Sequence, residues 1–476
     1  MKNFLLIFFT AFWPILGFSQ KLTISDEIPM HSDLIYEIIG EIRGRVMLFN
    51  RESGRYSITA LDENLRPSWD KEIELDRKNA IVIGVNATEE AFTVFYFFRE
   101  KGSTFLKAAR FDPSANLRDS VTLADLGFLF LSPSFEMVLS EDRSKVLLHY
   151  MERDNIFRSM VFDNKTMRVL WQQNFQYPDH DESEDVLHLI VSNIGQMYAI
   201  FEKDHYQLRR EKHRYDVFLF DAEISEDVSR FSIPLKGNIT YDVKFAFDNT
   251  NQKLCAGGFY FEKNVERAEG YFALFVPRDP TRTLLRFFPF EDDFVDRLAG
   301  KEIRNNRGLE QISVVDLVFR KDGGLFLIGE ESKNFARRMA TVNRNVLLDN
   351  MNRSVVDYYF EDVFILAIRP NGTLQWNTIL HKKQYSQDDD GAFSSFFLFK
   401  TPTFLRLVFN DEIKFENTVS EYLLYTNGDF DRNSILSTET LQLRLRFRDA
   451  VQVSASRMLV PSERRGKLRI ARIDLL

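Results

Sequence analysis

Several groups of side chains here have the types that chemistry needs, and few have the spacing. His180, Asp181, Glu182, Glu184, Asp185 and His188 gather imidazoles and carboxylates of the kind that ligate metals. The run reads instead as a solvated acidic loop, and no metal is assigned to it. Asp388, Asp389, Asp390 and Gly391 resemble half of a calcium loop, but Ser386 takes the first ligand position and Phe397 the twelfth. That excludes an EF-hand while leaving looser calcium binding open. Arg444, Arg446 and Arg448 alternate with Leu445 and Phe447, which puts three cations on one side of an expected strand. On an outer strand they would be solvated; on an innermost one they would ring a channel mouth and draw anions. No HExxH, GxSxG, Walker or dinucleotide glycine motif occurs. No catalytic residue and no cofactor is assigned.

Composition narrows the classes further. With 44% hydrophobic and 28% charged residues in 476, the chain is neither disordered nor collagenous, and one cysteine rules out a disulfide scaffold. Cys255 reads as a small buried apolar residue. Sixty-two basic against 70 acidic residues give a net charge of -8, which argues against a nucleic-acid partner. The 46 Phe are the compositional anomaly. Residues 1–19 carry one Lys, an apolar run and small residues near Ser19, the pattern of a cleaved export signal. The mature chain is then expected in the periplasm or outside the cell, with no transmembrane segment.

The elements that would position any site come from an internal repeat. Seven stretches, beginning with YSITALDENLRPSWDKEIEL (56–75) and ending with EYLLYTNGDFDRNSILS (421–437), share a third strand, a polar turn and a fourth strand. Asp62, Asp112, Asp163, Asp221 and Asn371 stand where a short side chain can bond the turn backbone. Two apolar strands precede each copy, and an eighth copy begins in 441–456 but lacks a fourth strand. KLTISDEI (21–28) is a spare alternating strand that could supply it and close the ring. The expected fold is therefore a single all-β propeller of eight four-stranded blades over 20–476, with seven as the alternative. Blades packed face to face need bulk on both sides, which is a use for the Phe excess.

Insertions fall unevenly on this plan. Loops between strands one and two, and three and four, are short throughout. The other class carries 177–185, 202–214, 262–270, 290–311, 331–362 and 381–391. Loops on a rigid scaffold commonly carry function, so a working face built by blades four to seven is expected. Within it, 335–351 shows a helical stripe of Phe335, Met339, Val342 and Val346.

Trp69, Trp171 and Trp376 after polar turns resemble quinoprotein-type repeats, in which a Trp docks on the next blade; the resemblance concerns packing, not the cofactor. The stretches 357–399, 407–411 and 451–473 resemble a family of exported bacterial propeller proteins of unknown function, through Tyr358-Tyr359, Trp376, Lys383-Gln384 and the acidic-Gly-Ser-Ser run ending at Ser395. That family brings no catalytic residues. The architecture is also similar to eight-bladed assembly factors of outer-membrane protein insertion, without their lipid anchor. The expected function is non-enzymatic binding or scaffolding of an envelope protein or glycan by a monomeric ring, through Arg337, Arg338, Tyr358, Tyr359, Lys382, Lys383, Gln384, Asp388 and Asp390. The alternative is a polysaccharide hydrolase or lyase with carboxylates at the channel mouth.

Overall fold

A computed structural model describes residues 20–263, 265–300, 308–338, 354–413, 418–438 and 440–475. The expected export signal lies outside them. Eight antiparallel sheets form, seven of them in sequence order from an inner to an outer strand. Blades one to seven span 35–72, 81–125, 136–176, 186–234, 239–289, 312–380 and 397–437. The eighth uses Val451–Ser454, Arg457–Arg464 and Lys467–Asp474, and its outer strand is Lys21–Ile24, with Lys21 opposite Asp474. The protein is an eight-bladed β-propeller.

The cause is visible in the packing. Eight apolar clusters each join one blade to the next, the last bringing Ile38, Val46 and Leu48 of blade one against Leu459, Leu468 and Ile470 of blade eight. Phenylalanines cross these seams: Phe175 stacks on Phe218 at 4.4 Å, and Phe95 meets Phe162 edge-on at 5.4 Å. Cys255 is buried in the seam between blades five and six, where burial pushes its thiol up to about 12.

Turns follow the sequence expectation. Asp62 accepts from the N–H of Asn64 and Arg66, Asp112 from Ser114 and Asn116, Asp163 from Lys165 and Thr166, Asp221 from Glu223, and Asn371 from Thr373. Trp171 donates to the Gly195 carbonyl of the next blade at 2.8 Å, and Trp376 to Thr426 at 3.3 Å. The short turns are also stitched to one another. Asn86 donates to Arg143 O, the Asp142 N–H to Asn193, the Asn193 N–H to Asn249, and Lys253 to Gly323 O.

Three local expectations are corrected. Phe335–Arg338 are not helical: they end a 14-residue strand, Leu325–Arg338, paired with Ser354–Ile368. β-Branched Val355 and Val356 on the opposing arm favour that ladder; the rest of the expected helix, 339–351, lies outside the described residues. Arg444, Arg446 and Arg448 are on no strand. Leu445 makes one bridge to Ser462, Phe447–Asp449 is a 3₁₀ turn, and Leu443, Leu445 and Phe447 are buried in the seam of blades seven and eight. The eighth repeat accordingly starts at Val451. Nor is 177–185 simply solvated: the His180 and Asp185 side chains are 6% and 2% exposed and share a 2.9 Å contact, with Lys203 on the same carboxylate at 2.7 Å.

Deleting 21–28 strips the outer strand from the eighth sheet and uncovers the edge of Lys467–Asp474. The expected result is a melting temperature lower by several degrees; an unchanged one would mean that seam packing alone closes the ring.

Candidate interaction face

Strand order puts the connections between second and third strands, and those between blades, on one side of the ring, and among the described residues blade six carries the longest strands there, of 14 and 15 residues. Its second and third strands extend past the sheet as a hairpin, and the strand Gln384–Gln387 adds to it, pairing Phe360 with Gln384 and Asp357 with Gln387. Strand periodicity then sorts the Lys-Lys-Gln motif. Lys382, Gln384 and Ser386 point inward and are buried, while Lys383, Tyr385 and Gln387 point outward.

Lys382 and Gln384 are therefore not contact groups, contrary to the expectation from sequence. Lys382 pairs with Glu330 at 2.6 Å, with the two side chains 2% and 3% exposed, and it donates to Gln384. Burial pushes the Lys382 ammonium down, with Glu330 opposing. Ser395 donates to the second Glu330 oxygen at 2.7 Å. Gln384 donates to the Asn410 and Ser395 carbonyls, and Asn410 to Phe393 and Leu445. This buried network ties blade six to blade seven and to the segment entering blade eight. It also accounts for Lys383-Gln384 and Ser395 as a recognisable motif.

The acidic run is divided among separate structural tasks. Asp388 accepts from the Val356 N–H, Asp389 pairs with Arg444 at 3.1 Å, and Asp390 accepts from the Tyr358 hydroxyl at 2.8 Å. Those carboxylates hold the hairpin and do not converge on one point. Among the described residues no group of three or more metal-ligating side chains is positioned to hold an ion. Arg446 pairs with Glu463 and Asp449, and the Arg448 guanidinium lies 5.6 Å from the Phe360 ring.

What remains accessible is a cleft of about 270 Å³ lined by Gln311, Ser332, Lys333, Asn334, Tyr358, Phe360 and Asp390. Tyr359 lies tilted against Tyr385 at 5.1 Å and meets Phe335 edge-on. Lys333, Phe360 and Tyr385 are functional candidates that the sequence reading missed. The period-two alternation through 381–387 is the available signal for Tyr385; Lys333 lies in the extension of a strand that the sequence reading ends before 331. By register Arg337 and Arg338 lie opposite Val355 and Ser354 on the outer part of the hairpin.

Below the cleft, burial pushes the Glu331 carboxyl up to about 7; Lys333 and Lys382 oppose this, and Asp362 and Glu361 reinforce it. Lys333 pairs with Glu361 at 2.5 Å, and His381 with Asp362 at 2.8 Å. The central channel holds a different set. Asp316 of blade six is bridged by Lys244 of blade five at 3.2 Å and Lys400 of blade seven at 2.8 Å. Burial alone would raise Asp316, but the two lysines hold it below the ordinary carboxylate range. The adjoining cavity, about 340 Å³, lies at the short-turn end of the inner strands, away from the insertions.

No protein-family model matches this chain, and no curated protein matches it. Similar solved structures include the WD40 domain of SCAP from fission yeast, at 10% identity and TM-score 0.41 over 96% of this chain and 98% of that one. Another is dipeptidyl peptidase 4 of Porphyromonas gingivalis, at 9% identity and TM-score 0.46 over 90% of this chain and 56% of that one. A third is the dihydro-heme d1 dehydrogenase NirN, at 10% identity and TM-score 0.40 over 93% and 75%. At this distance function does not transfer, and the propeller assignment rests on the sheets and seams above.

Two measurements probe the face. Lys382→Met leaves Glu330 charged and buried, with an expected cost of about 3 kcal/mol. The double variant E330L/K382M should recover most of it in thermal unfolding, and a double variant no better than the single would exclude the pair as the cause. For Glu331, the folded group holds its proton up to about 7 against 4.5 for an ordinary glutamate. Its stabilising contribution is thus full below 4.5 and is lost as pH rises through 7. Glu331→Gln should therefore gain a few degrees relative to wild type between pH 5 and pH 8, and a pH-independent difference would contradict that protonation.

Proposed function

We propose that this chain is exported and acts as a non-enzymatic binding or scaffold propeller, engaging an envelope protein or glycan in the periplasm or outside the cell. The observation carrying this reading is the one-sided placement of the insertions, with an aromatic, amide and charged cleft on blade six. Tyr358, Tyr359, Lys383 and Asp390 remain the proposed contact groups, joined by Lys333 and Tyr385; Arg337 and Arg338 extend the surface along the hairpin. Lys382 and Gln384 support it from within, and Asp388 holds the Val356 N–H at the surface of the hairpin. Most carboxylates near the cleft are paired with a cation or bonded to backbone, which suits shape-based recognition better than proton transfer.

Glu331 favours a second reading. A carboxyl titrating near 7 beside Glu361 and Asp362 has the protonation a glycosidic general acid needs. One experiment separates the two. Envelope fractions are passed over wild type, over a chain with 333–356 replaced by a tight turn, and over the double surface variant Y358A/K383E. Under the binding reading, the same protein or glycan is retained by wild type and reduced at least tenfold by both variants, with melting temperatures within a few degrees. Unchanged retention by both variants would refute this face as the contact. Release of reducing ends by wild type but not by Glu331→Gln would establish the enzyme instead.

A further inference from the structure

The joint where the ring closes holds a cavity of its own, of about 150 Å³. Three parts of the chain meet around it. Glu27 follows the N-terminal outer strand, Gln442 lies on the segment entering blade eight, and Ser462, Arg464, Arg465, Lys467 and Arg469 belong to the hairpin of that blade's second and third strands.

The charge of this lining is lopsided. Glu27 is its single carboxylate, and hydrogen bonds from Lys467 and Arg469 hold that group below the ordinary glutamate range, the Arg469 bond measuring 2.6 Å. Arg464 is engaged in an interaction of its own. Without it, Arg465, Lys467 and Arg469 still face one carboxylate. Arg465 is exposed and has no partner among the described residues. The neighbouring acids do not cancel the surplus. Glu463 projects from the opposite face of its strand, where Arg446 and the Tyr36 hydroxyl take it. Asp26 is exposed and lies outside the lining; with it included, these three cations still outnumber the acids.

Hydrogen-bond donors are unspent as well. Lys467 and Arg469 place only part of their N–H groups on Glu27 and on the Leu441 carbonyl. The Gln442 amide has no hydrogen-bond partner among the described residues. The buried Ser462 hydroxyl accepts from the Arg444 N–H at 2.8 Å, and its own proton meets no acceptor among the described residues. A small space ringed by guanidinium, ammonium, amide and hydroxyl donors matches a compact group with several acceptor oxygens and more than one negative charge. A guanidinium fork can take two such oxygens at once, and the point donors take the others.

We propose that this cavity binds a doubly charged tetrahedral oxyanion, a phosphate or sulfate group, either free or as the terminal ester of a sugar. Arg465, Lys467 and Arg469 supply the charge, and Ser462 and Gln442 add neutral donors. The site is independent of the cleft on blade six. Glu27 and Arg469 are 442 positions apart in the chain, so the bound group touches both ends of the molecule and stabilises the closed ring by mass action.

The test is calorimetric titration of the full chain, at low salt and near neutral pH, with inorganic phosphate and separately with sulfate. Both should bind saturably, one ion per chain. Arg465→Ala removes an exposed, unpaired side chain, so it should keep the wild-type melting temperature and weaken phosphate by roughly tenfold. Glu27→Gln should tighten phosphate severalfold, because two cations lose their internal counter-ion. An ion cluster with a purely structural role would do neither. The absence of saturable binding, binding that Arg465→Ala leaves unchanged, or weaker binding by Glu27→Gln would each overturn the proposal. Glucose 6-phosphate separates the two sources. Affinity above that of inorganic phosphate assigns the site to an esterified sugar, equal or lower affinity assigns it to the free ion, and either result upholds the oxyanion site.

Discussion

Every blade in this molecule is a sheet with two apolar faces, and neither face can be left in water. Burying one Phe or Leu contributes roughly 2 kcal/mol, so leaving a blade uncovered on one side would cost at least as much as the whole net stability of an ordinary domain. The ring is the arrangement in which each face covers its neighbour and no face is left over. The seams are unequal: among the described residues the one between blades five and six buries 19 apolar side chains, including Phe259, Phe294 and Phe364, whereas the closing seam buries eight, all aliphatic. Since the seams take up the blade faces, length can be added only at the rims. That is why variation in this chain is confined to loops, and why a working face can change without disturbing the core.

The architecture was legible in the sequence because its determinants are local and recur. A carboxylate or amide at Asp62, Asp112, Asp163, Asp221 or Asn371 bonds backbone within a few residues of itself, so the turn and the strands flanking it can be read from a short window. The errors arose where the deciding partner is distant. Asp389 meets Arg444 across 55 positions and Ser395 meets Glu330 across 65. Nothing near Ser395 in sequence indicates that a buried carboxylate awaits it. The stripe through Phe335 reads equally well at helical spacing until its pairing with the arm at 354–357 is known. The arginines at 444, 446 and 448 alternate because the residues between them fill a seam, a cause that mimics a strand without being one.

Polar groups divide between two tasks in the finished structure. In the interior beneath blade six, the Glu330–Lys382 pair and the amides of Gln384 and Asn410 fix the orientation of the hairpin relative to blade seven. Such a network adds little to stability compared with an apolar substitute, but it tolerates one geometry only. In the channel, Asp316 with its two lysines joins the inner strands of blades five, six and seven. The cleft at Tyr358 thus rests on a base held from two directions, which limits the conformational freedom a ligand would otherwise have to freeze out.

The pairing of the first strand with the last has a consequence in time. The Ile470 N–H is satisfied by Ser25, 445 positions earlier in the chain, so the eighth sheet cannot exist while the chain is still being delivered. During vectorial synthesis or transport the first seven blades can stack in the order in which they emerge, but one face of blade one and one face of blade seven stay open until the final residues arrive. The smallest seam is therefore the one that forms last. Any factor that guards this chain against premature association has to remain on it until the C-terminus is released.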